Sequence, residues 1–234
     1  MATARIYLHD DQQLATTSVV TAVAPGMFAT AASPFFVGGG GQPADVGWVD
    51  DVSITGISVD EHDQVWHHST AQVALGQSVA LTIDAHHRAI VSRYHTVLHI
   101  LNTLALQHYH AWLTGAAITT TYGRIDVAVP QLDVSMIADL QASMNAVIAA
   151  NHAVRSYTIA AAEFDQRPDL LRTINVAPPV YHGQIRVVEI VGFDAQACGG
   201  THVRQTCDIG ACEIYKTENK GRQNKRLYVR FASF

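Results

Sequence analysis

A change in hydrophobic pattern near Asp84 constrains the fold of this 234-residue chain more than any other feature. Before this point, β-branched and alternating apolar residues form short runs such as TSVVTAV and SVALTID, separated by turn residues. Runs of this kind are typical of strands. After it, apolar residues recur with the 3.6-residue period of a helix. The sequence therefore predicts a small β-barrel or sandwich followed by a long helix.

The rest of the chain alternates between strand and helix patterns. Ser135 is a good N-cap residue before SMIADLQASMNAVIAANH, and DQRPDLLRTI predicts a second, short helix. The runs GACEIYKTEN and KRLYVRFASF predict two closing strands joined by a basic turn. We therefore expect an α+β protein with two domains, a β domain over residues 1–85 and an α+β domain over residues 86–234.

Composition narrows the classes of partner. No apolar run approaches the roughly 20 residues of a membrane span, and MATARIYLHD has no hydrophobic signal core, so we expect a cytoplasmic protein without a membrane partner. The formal net charge of −5 means that any nucleic acid must meet a local basic patch. Three cysteines near the end favour reduced thiols or metal ligands over a disulfide framework, and we expect Cys207 and Cys212 to be free.

Two histidines interrupt the apolar pattern of the long helix. In RYHTVLHILN, His95 and His99 are four residues apart and therefore lie on one helix face, where both rings can reach one metal ion. Thr96 stands where a zinc peptidase carries its general-base glutamate, which argues against peptidase activity. Taken alone, the pair is also compatible with two ordinary core or surface histidines.

A second cluster follows the strand IRVVEIVGF. In QACGGTH, a thiolate from Cys198 and an imidazole from His202 flank two glycines that allow a tight bend. Sulfur and nitrogen ligands together suit zinc. The sequence therefore predicts one zinc ion bound by His95, His99, Cys198 and His202.

Two further segments have more than one interpretation. The run FFVGGGGQPAD is either a flexible loop or a segment whose backbone approaches a ligand closely. The segment KTENKGRQNKR is either a solvated hairpin or a surface that contacts RNA phosphates. Its basic residues are Lys216, Lys220, Arg222, Lys225 and Arg226.

The order and spacing of HTVLH, QACGGTHV, GGGQPAD and KTENKGRQNKR resemble those of the AlaX family of alanyl-tRNA editing proteins, from Pro34 to Phe234. The glycine-rich first domain is similar to that of the medium-length form. The resemblance implies a small β-barrel followed by an editing domain like those of threonyl- and alanyl-tRNA synthetases. It also implies hydrolysis of a wrong amino acid, chiefly serine with glycine as a second candidate, from the acceptor end of alanine-specific tRNA, and it assigns zinc to the four ligands named above.

The resemblance also suggests roles within the site. The glycine-rich motif Gly39, Gly40, Gly41 and Gln42 is expected near the editing pocket, although Val37-Gly38 and Val127 depart from the family pattern. Four protein ligands would close a tetrahedral zinc, so either its coordination expands or His202 binds loosely and transfers a proton. Backbone amides of Gly199, Gly200 or the glycine motif are candidate oxyanion donors.

Separating serine from alanine requires a polar group, because a pocket sized for serine also admits alanine. Three threonines are candidates to bind the serine hydroxyl. The resemblance to family members with a threonine in this region makes Thr119, in the strand AITTTYG, the first choice, and Thr96 and Thr201, which lie inside the metal motifs, are reserves.

Other functions stay open at this point. They are editing of serine on threonine-specific tRNA, a zinc esterase for a small molecule, and a structural zinc that only stabilises the fold. The oligomeric state is also open, with a monomer favoured.

Overall fold

The computed structural model describes residues 2–173 and 177–232, and the chain divides into two compact units. The N-terminal unit comprises Met1–Gly39 and Pro43–Ile90, and the C-terminal unit comprises Gly40–Gln42 and Val91–Phe234. The first helix begins one residue after Asp84, at the predicted change of pattern. The Asp84 carboxylate accepts hydrogen bonds from the backbone N–H groups of His86 and His87, which fixes the start of this helix.

The N-terminal unit is built from short strands and a 3₁₀ turn at Ile6–Leu8. Strands β2, β3, β7, β6, β5 and β8 pair in that order, and β8 pairs with β2, so that the sheet closes into a barrel. The strands are β1 (Ala4–Arg5), β2 (Ala15–Ala24), β3 (Met27–Thr30), β4 (Ala32–Ser33), β5 (Gly47–Val49), β6 (Val52–Val59), β7 (Val65–Ser69) and β8 (Ser78–Ile83).

Alternation along these strands fills the barrel. In β8, for example, Val79, Leu81 and Ile83 are buried while the residues between them are exposed. A histidine, His67, also lies in this interior, between the rings of Phe28 and Phe35. The barrel therefore has an apolar core with one polar ring inside it.

The C-terminal unit contains most of the helical residues of the chain and two antiparallel sheets. The mixture of helices and strands predicted from the sequence is confirmed. Its elements, with the beginning of α1 in the N-terminal unit, are α1 (Ala85–Tyr109), β9 (Trp112–Ile118), β10 (Gly123–Ala128), α2 (Val134–Ala149), β11 (Val154–Ala160), α3 (Ala161–Phe164), β12 (Val180–Tyr181), β13 (Gln184–Ile190), β14 (Asp194–Ala197), β15 (Cys212–Asn219) and β16 (Lys225–Phe231), with 3₁₀ turns at Pro168–Leu170 and Thr206–Ile209.

One sheet has the order β15-β16-β10-β9, and in the other β13 lies between β11 and both β12 and β14. Helix α1 packs on the inner face of the first sheet, where the ring of Tyr94 stacks on Phe231 at 4.1 Å. A Cβ atom at Gly123 would lie 3.2 Å from Leu98 of this helix, so the helix and strand approach closely. This contact fixes the face of α1 that is left for His95 and His99.

Three local predictions need correction. Asp133, not Ser135, caps α2, because its carboxylate accepts the Met136 N–H at 3.0 Å while Ser135 lies within the first turn. The predicted short helix in DQRPDLLRTI is a 3₁₀ turn at Pro168–Leu170. The last residue of this segment, Ile174, lies outside the described residues. The predicted last strand ends at Phe231, and Ser233 and Phe234 are not among the described residues.

The sequence also predicts that no segment is long and apolar enough to span a membrane. Within residues 2–173 and 177–232, no helix combines the length and apolar character needed to cross a bilayer.

Candidate metal centre

The four predicted metal ligands converge in the C-terminal unit. His95 and His99 lie one turn apart on α1, and Cys198 and His202 lie in the loop after β14. One ligand atom from each residue lies within 4.8 Å of the others. The Cys198 Sγ atom is 3.5 Å from Nε2 of His95 and 3.5 Å from Nε2 of His202.

Gln42 fixes the orientation of the His95 ring. Its side-chain oxygen accepts the Thr201 N–H at 3.0 Å and lies 2.7 Å from His95 Nδ1. Because this oxygen can only accept, Nδ1 carries the proton, and the lone pair of His95 is on Nε2, which faces Cys198. The amide nitrogen of Gln42 donates to Thr201 Oγ1 at 2.8 Å. Gln42 therefore connects the glycine motif, the helix and the QACGGTH loop.

Thr96 fixes the His202 ring in the same way. The Thr96 hydroxyl donates its proton to the backbone oxygen of Ser92 at 2.9 Å, so it can only accept from other groups. It accepts the Val203 N–H at 3.2 Å and the proton on His202 Nδ1 at 3.1 Å. The Nε2 lone pair of His202 therefore also faces Cys198. A hydrogen bond on the outer ring nitrogen is the usual way in which proteins orient a histidine ligand.

The cluster is set up to stay neutral. Burial, together with the neighbouring imidazoles and the charge of Arg186, holds the pKa of His95 and of His202 well below the usual value. Burial, with contributions from Arg186 and Arg172, lowers the pKa of His99 to about 3. Neutral imidazoles are the form that binds metal, so the three histidines need not lose a proton near neutral pH, whereas Cys198 would bind as the thiolate.

The loop that carries Cys198 is held tightly. The buried guanidinium of Arg186, on β13, donates to the backbone oxygens of Gly200 at 2.6 Å and Cys198 at 3.2 Å. The Gly200 N–H donates to Cys198 Sγ at 3.4 Å. A Cβ atom at Gly200 would lie 2.2 Å from the His95 ring, so only glycine fits there. Close packing against the His95 ring therefore explains Gly200.

Sequence reasoning missed Arg186 and the support behind His99. The side chain of Gln196, on β14, donates to the backbone oxygen of His99 at 3.2 Å and to Asp194 at 2.8 Å. Their only signal in the sequence is polarity: Arg186 interrupts the apolar run IRVVEI, and Gln196 precedes Cys198 by two residues. The partners of each become known only when the strands are paired.

The three threonines proposed to bind a serine hydroxyl have different surroundings. Thr96 and Thr201 are both 0% exposed, and the hydroxyl of Thr201 is 2.7 Å from Ser92 Oγ, so the hydrogen bonds of both belong to the buried network. Thr119 lies after the end of β9, in the four-residue turn before β10. Its hydroxyl oxygen accepts the N–H groups of Thr121 and Tyr122 at 3.1 and 3.0 Å. It is half-buried and is the most accessible of the three.

The glycine motif has a backbone that other residues rarely adopt. Gly39, Gly40 and Gly41 have φ angles of 131°, 60° and 87°. In the C-terminal unit, the Gly41 oxygen accepts the Ile118 N–H at 2.8 Å, and a Cβ atom at Gly41 would lie 2.5 Å from the backbone oxygen of Ala116. Close backbone approach to β9 therefore explains Gly41, and this contact sets the position of Gln42.

The basic residues of the β15–β16 hairpin fall into two groups. Arg226 forms two hydrogen bonds with the Asp126 carboxylate at 2.6 and 2.8 Å and is largely buried, so its charge is already matched. Of the other four, Lys216, Lys220 and Arg222 are exposed and Lys225 is half-buried. Lys216 pairs with Glu218 at 2.6 Å, Lys220 is 3.9 Å from the same carboxylate, and Lys225 donates to the Gly221 oxygen at 2.8 Å.

The donor set fits zinc. Tetrahedral zinc with bonds of about 2.3 Å to sulfur and about 2.0–2.1 Å to nitrogen separates these two atoms by roughly 3.5 Å. The two measured sulfur–nitrogen distances have this value, and both nitrogens carry lone pairs. Cys198 is the most exposed of the four ligands, so its side of the cluster is the most accessible.

Comparison with known proteins places this chain in a family. Residues 185–228 match the family model described as the threonyl and alanyl tRNA synthetase second additional domain. The chain is similar to the alanyl-tRNA editing protein AlaX-M of Saccharolobus solfataricus, with 31% identity over 204 residues, 83% of this chain and 84% of that protein. The corresponding protein of Methanosarcina acetivorans is 27% identical, with 83% and 84% covered.

An alanine–tRNA ligase of Methanococcus maripaludis is 27% identical over 190 residues. The matched part is 79% of this chain and 21% of the ligase. Fold and site together define an α+β protein with a buried centre of three histidines and one cysteine that could bind a metal ion. The chain belongs to the AlaX family of alanyl-tRNA editing proteins.

Proposed function

We propose that this protein is a trans-editing hydrolase that removes serine, with glycine as a second candidate, from alanine-specific tRNA at a zinc site. The observation that carries the proposal is the convergence of His95, His99, Cys198 and His202 in a member of this family. Such a substrate is made during protein synthesis, which is consistent with the cytoplasm as the place of the reaction.

The roles of the ligands follow from their hydrogen bonds. When bound, zinc supplies a Lewis acid that polarises the ester carbonyl. His202 is better suited to be a permanent ligand than a proton carrier, because its Nδ1 proton is held by Thr96 and its ring is 2% exposed. Substrate then approaches beside Cys198, the most accessible ligand.

Some backbone N–H groups of the QACGGTH loop already donate hydrogen bonds within the site, and others are candidates to bind the oxyanion. The Gly200 N–H is directed at Cys198 Sγ, and the Thr201 N–H is directed at Gln42. Gly199 is therefore the better oxyanion donor on this loop, with the amides of the glycine motif as the second candidates. Gln42 acts as a positioning residue, since its amide holds His95 and Thr201 together.

The tRNA acceptor end is proposed to contact the basic hairpin. Lys216, Lys220, Arg222 and Lys225 are exposed enough to contact phosphates, whereas Arg226 is bound to Asp126 and more naturally supports the hairpin from within. Phosphate contacts of this kind position an RNA without reading its bases.

Thr119 is the proposed reader of the serine hydroxyl because Thr96 and Thr201 are fully buried. Thr119→Val should lower the ratio of serine to alanine hydrolysis, since it removes the hydroxyl at nearly constant volume. Thr119→Ser keeps the hydroxyl and should retain the ratio. Zinc content should be the same in both variants. An unaltered ratio in Thr119→Val would assign this role to another group.

One assay tests the proposed function. Release of the amino acid is measured from Ser-tRNA and Ala-tRNA, both on alanine-specific tRNA, from Ser-tRNA on threonine-specific tRNA, and from serine ethyl ester. We expect fast hydrolysis of the first substrate only. Efficient hydrolysis of correct Ala-tRNA would contradict editing, and preference for the third or fourth substrate would favour editing of threonine-specific tRNA or a small-molecule esterase.

A structural role for zinc requires a separate measurement. If the protein is not an enzyme and zinc only stabilises its fold, the unmutated, zinc-loaded protein should melt cooperatively and hydrolyse none of these four substrates. If zinc takes part in the reaction, exchange of zinc for cadmium should change the rate of serine release while the folded structure is kept.

A further inference from the structure

Three tyrosines form a continuous patch on the outer face of the β15-β16-β10-β9 sheet. The ring of Tyr228 on β16 lies 5.5 Å from that of Tyr122 and 6.1 Å from that of Tyr215. We call this patch, defined by Tyr122, Tyr215 and Tyr228, the tyrosine face. The catalytic proposal uses none of its residues.

Strand alternation explains why these rings point away from the core. Leu227 and Val229 are buried on the inner face of β16, so Tyr228 between them faces outward. Tyr215 lies where the pairing of β15 and β16 shifts register, and its side chain is 38% exposed. A large aromatic patch on a half-exposed sheet face is typical of a binding surface.

Cations accompany the rings. The ammonium group of Lys216 lies 4.8 Å above the centre of the Tyr228 ring, and the guanidinium of Arg230 lies 4.7 Å above that of Tyr215. The face and its hairpin carry seven basic side chains against three acidic ones, in a chain with a net charge of −5. The basic residues are Arg124, Lys216, Lys220, Arg222, Lys225, Arg226 and Arg230, and the acidic residues are Asp126, Glu213 and Glu218.

From this combination we propose that the tyrosine face binds unpaired nucleotides of the tRNA by stacking their bases on the tyrosine and arginine side chains. Aromatic rings and planar guanidinium groups are the side chains on which unpaired bases stack, and nearby cations contact the phosphates. An acidic peptide would use the charges but has no need for three adjoining rings, of which Tyr215 is exposed and Tyr122 and Tyr228 are half-buried. The inference deepens the proposed function and rests on tRNA being the substrate.

The position of the face says which nucleotides it would hold. Tyr122 ends the turn between β9 and β10, and Ile118 at the other side of this turn is hydrogen-bonded to Gly41, next to Gln42 of the metal centre. The face therefore begins near the site, but it lies on the side of the sheet opposite α1, which carries His95 and His99. It would hold nucleotides other than the terminal one that carries the amino acid.

The test separates the contribution of the tyrosine rings from that of their hydroxyl groups, and compares the tyrosine face with another exposed tyrosine. Binding of uncharged alanine-specific tRNA is measured by fluorescence anisotropy at fixed salt for the double variants Tyr215→Leu, Tyr228→Leu and Tyr215→Phe, Tyr228→Phe. The matched control is Tyr157→Leu, because Tyr157 lies on the other sheet and is also 38% exposed. We expect the double leucine variant to bind about 10- to 100-fold more weakly. The phenylalanine and control variants should stay within about threefold of the unmutated protein.

Several results would overturn the inference. The first is unchanged tRNA affinity in the double leucine variant, and the second is an equal loss of tRNA affinity in the leucine and phenylalanine variants. The third is that the double leucine variant loses as much affinity for polyglutamate, a polyanion without bases, as for tRNA. Thermal melting of each variant excludes misfolding as the cause.

A failure of the proposed function is seen separately. It would appear as absent serine release by the unmutated protein, whatever the binding of uncharged tRNA by the tyrosine variants.

Discussion

Both units bury histidine, but they use its nitrogen atoms in opposite ways. In the barrel, Nε2 of His67 lies 2.9 Å from the Ser33 hydroxyl, which also accepts the Phe35 N–H at 3.2 Å. In the C-terminal unit, Gln42 and Thr96 accept the Nδ1 protons of His95 and His202, and both Nε2 atoms face the Cys198 sulfur. Burial makes all these rings neutral; the hydrogen bond on the outer nitrogen decides which of them can bind metal.

The largest expected effect breaks the metal centre itself. Purified protein should contain about one zinc per chain, because the four ligands describe one site. The double variant His95→Ala, His99→Ala should contain less than about 0.1 zinc per chain, since two of the four ligands are removed. His67→Leu, which removes the barrel histidine, is the control and should keep full zinc. Metal analysis decides between them, and stoichiometric zinc in the double variant would refute the assignment.

The second prediction tests His67 alone. Burial lowers its pKa from 6.5 to about 4, partly offset by a backbone hydrogen bond to Phe28. Because the folded-state value is depressed, the unfolded chain takes up the proton first as the pH falls. His67 therefore contributes stability that is present above about pH 6.5 and is lost as the pH falls to about 4, by roughly 3 kcal/mol.

Urea unfolding followed by tryptophan fluorescence suits this measurement, because Trp48 and Trp66 both lie in the N-terminal unit. The difference in unfolding free energy between the unmutated protein and His67→Leu should fall as the pH is lowered from 7.5 to 4. The three clustered histidines are the same in both proteins and cancel. A difference that does not vary with pH would show that His67 is not held neutral by the fold.

A third prediction sharpens the role of the outer hydrogen bond. Thr96→Val removes the acceptor of the His202 Nδ1 proton but leaves all four ligands in place. Zinc affinity should fall by about 10- to 100-fold, as for other groups that orient a ligand. Thr114→Val, on β9, removes a hydroxyl that bonds Asp126 and Asn224 instead, and should leave the affinity unchanged. Competition with a chelator measures both, and equal affinities would remove Thr96 from the metal site.

The smallest expected effect concerns the basic hairpin, where side chains free to contact phosphates are compared with one already bound to a carboxylate. The triple variant Lys220→Ala, Arg222→Ala, Lys225→Ala should flatten the salt dependence of tRNA binding by roughly one unit of log-log slope for each phosphate that is no longer bound. Arg226→Ala should leave the slope nearly unchanged, because this side chain is already bound to Asp126. It should instead lower stability by roughly 1–3 kcal/mol, since Asp126 loses its main partner. Equal slopes for the triple variant and the unmutated protein would make the hairpin an ordinary solvated surface.

The sequence predicted the parts of this site that have local patterns. The spacing of His95 and His99 on a helix, and of Cys198 and His202 around two glycines, is sufficient to predict four side chains at one point, and the structure brings them together. The change of period at Asp84 predicted the start of α1 almost to the residue. These features depend on neighbours within one turn or one loop.

The remaining features depend on interactions that no local pattern records. The roles of Gln42, Arg186 and Gln196 follow from the pairing of distant segments, so their partners could not be predicted. Thr119 was placed by assuming that strand alternation continues, but β9 ends at Ile118 and the hydroxyl of Thr119 serves the turn. Asp133 caps α2 in place of Ser135 because either residue type suits that position, and only the backbone geometry distinguishes them.

The hydrogen bond between Gln42 and Thr201 has a consequence for biosynthesis. The two residues are 159 positions apart. At about 5–20 residues per second, the ribosome adds Thr201 roughly 8–30 s after Gln42. His99 is followed by Cys198 only 99 residues later, so for about 5–20 s the growing chain contains His95 and His99 but neither Cys198 nor His202. Until Cys198 is added, this site offers a metal ion two imidazoles at most, and the ligand set that would select the metal is complete only when His202 has been made.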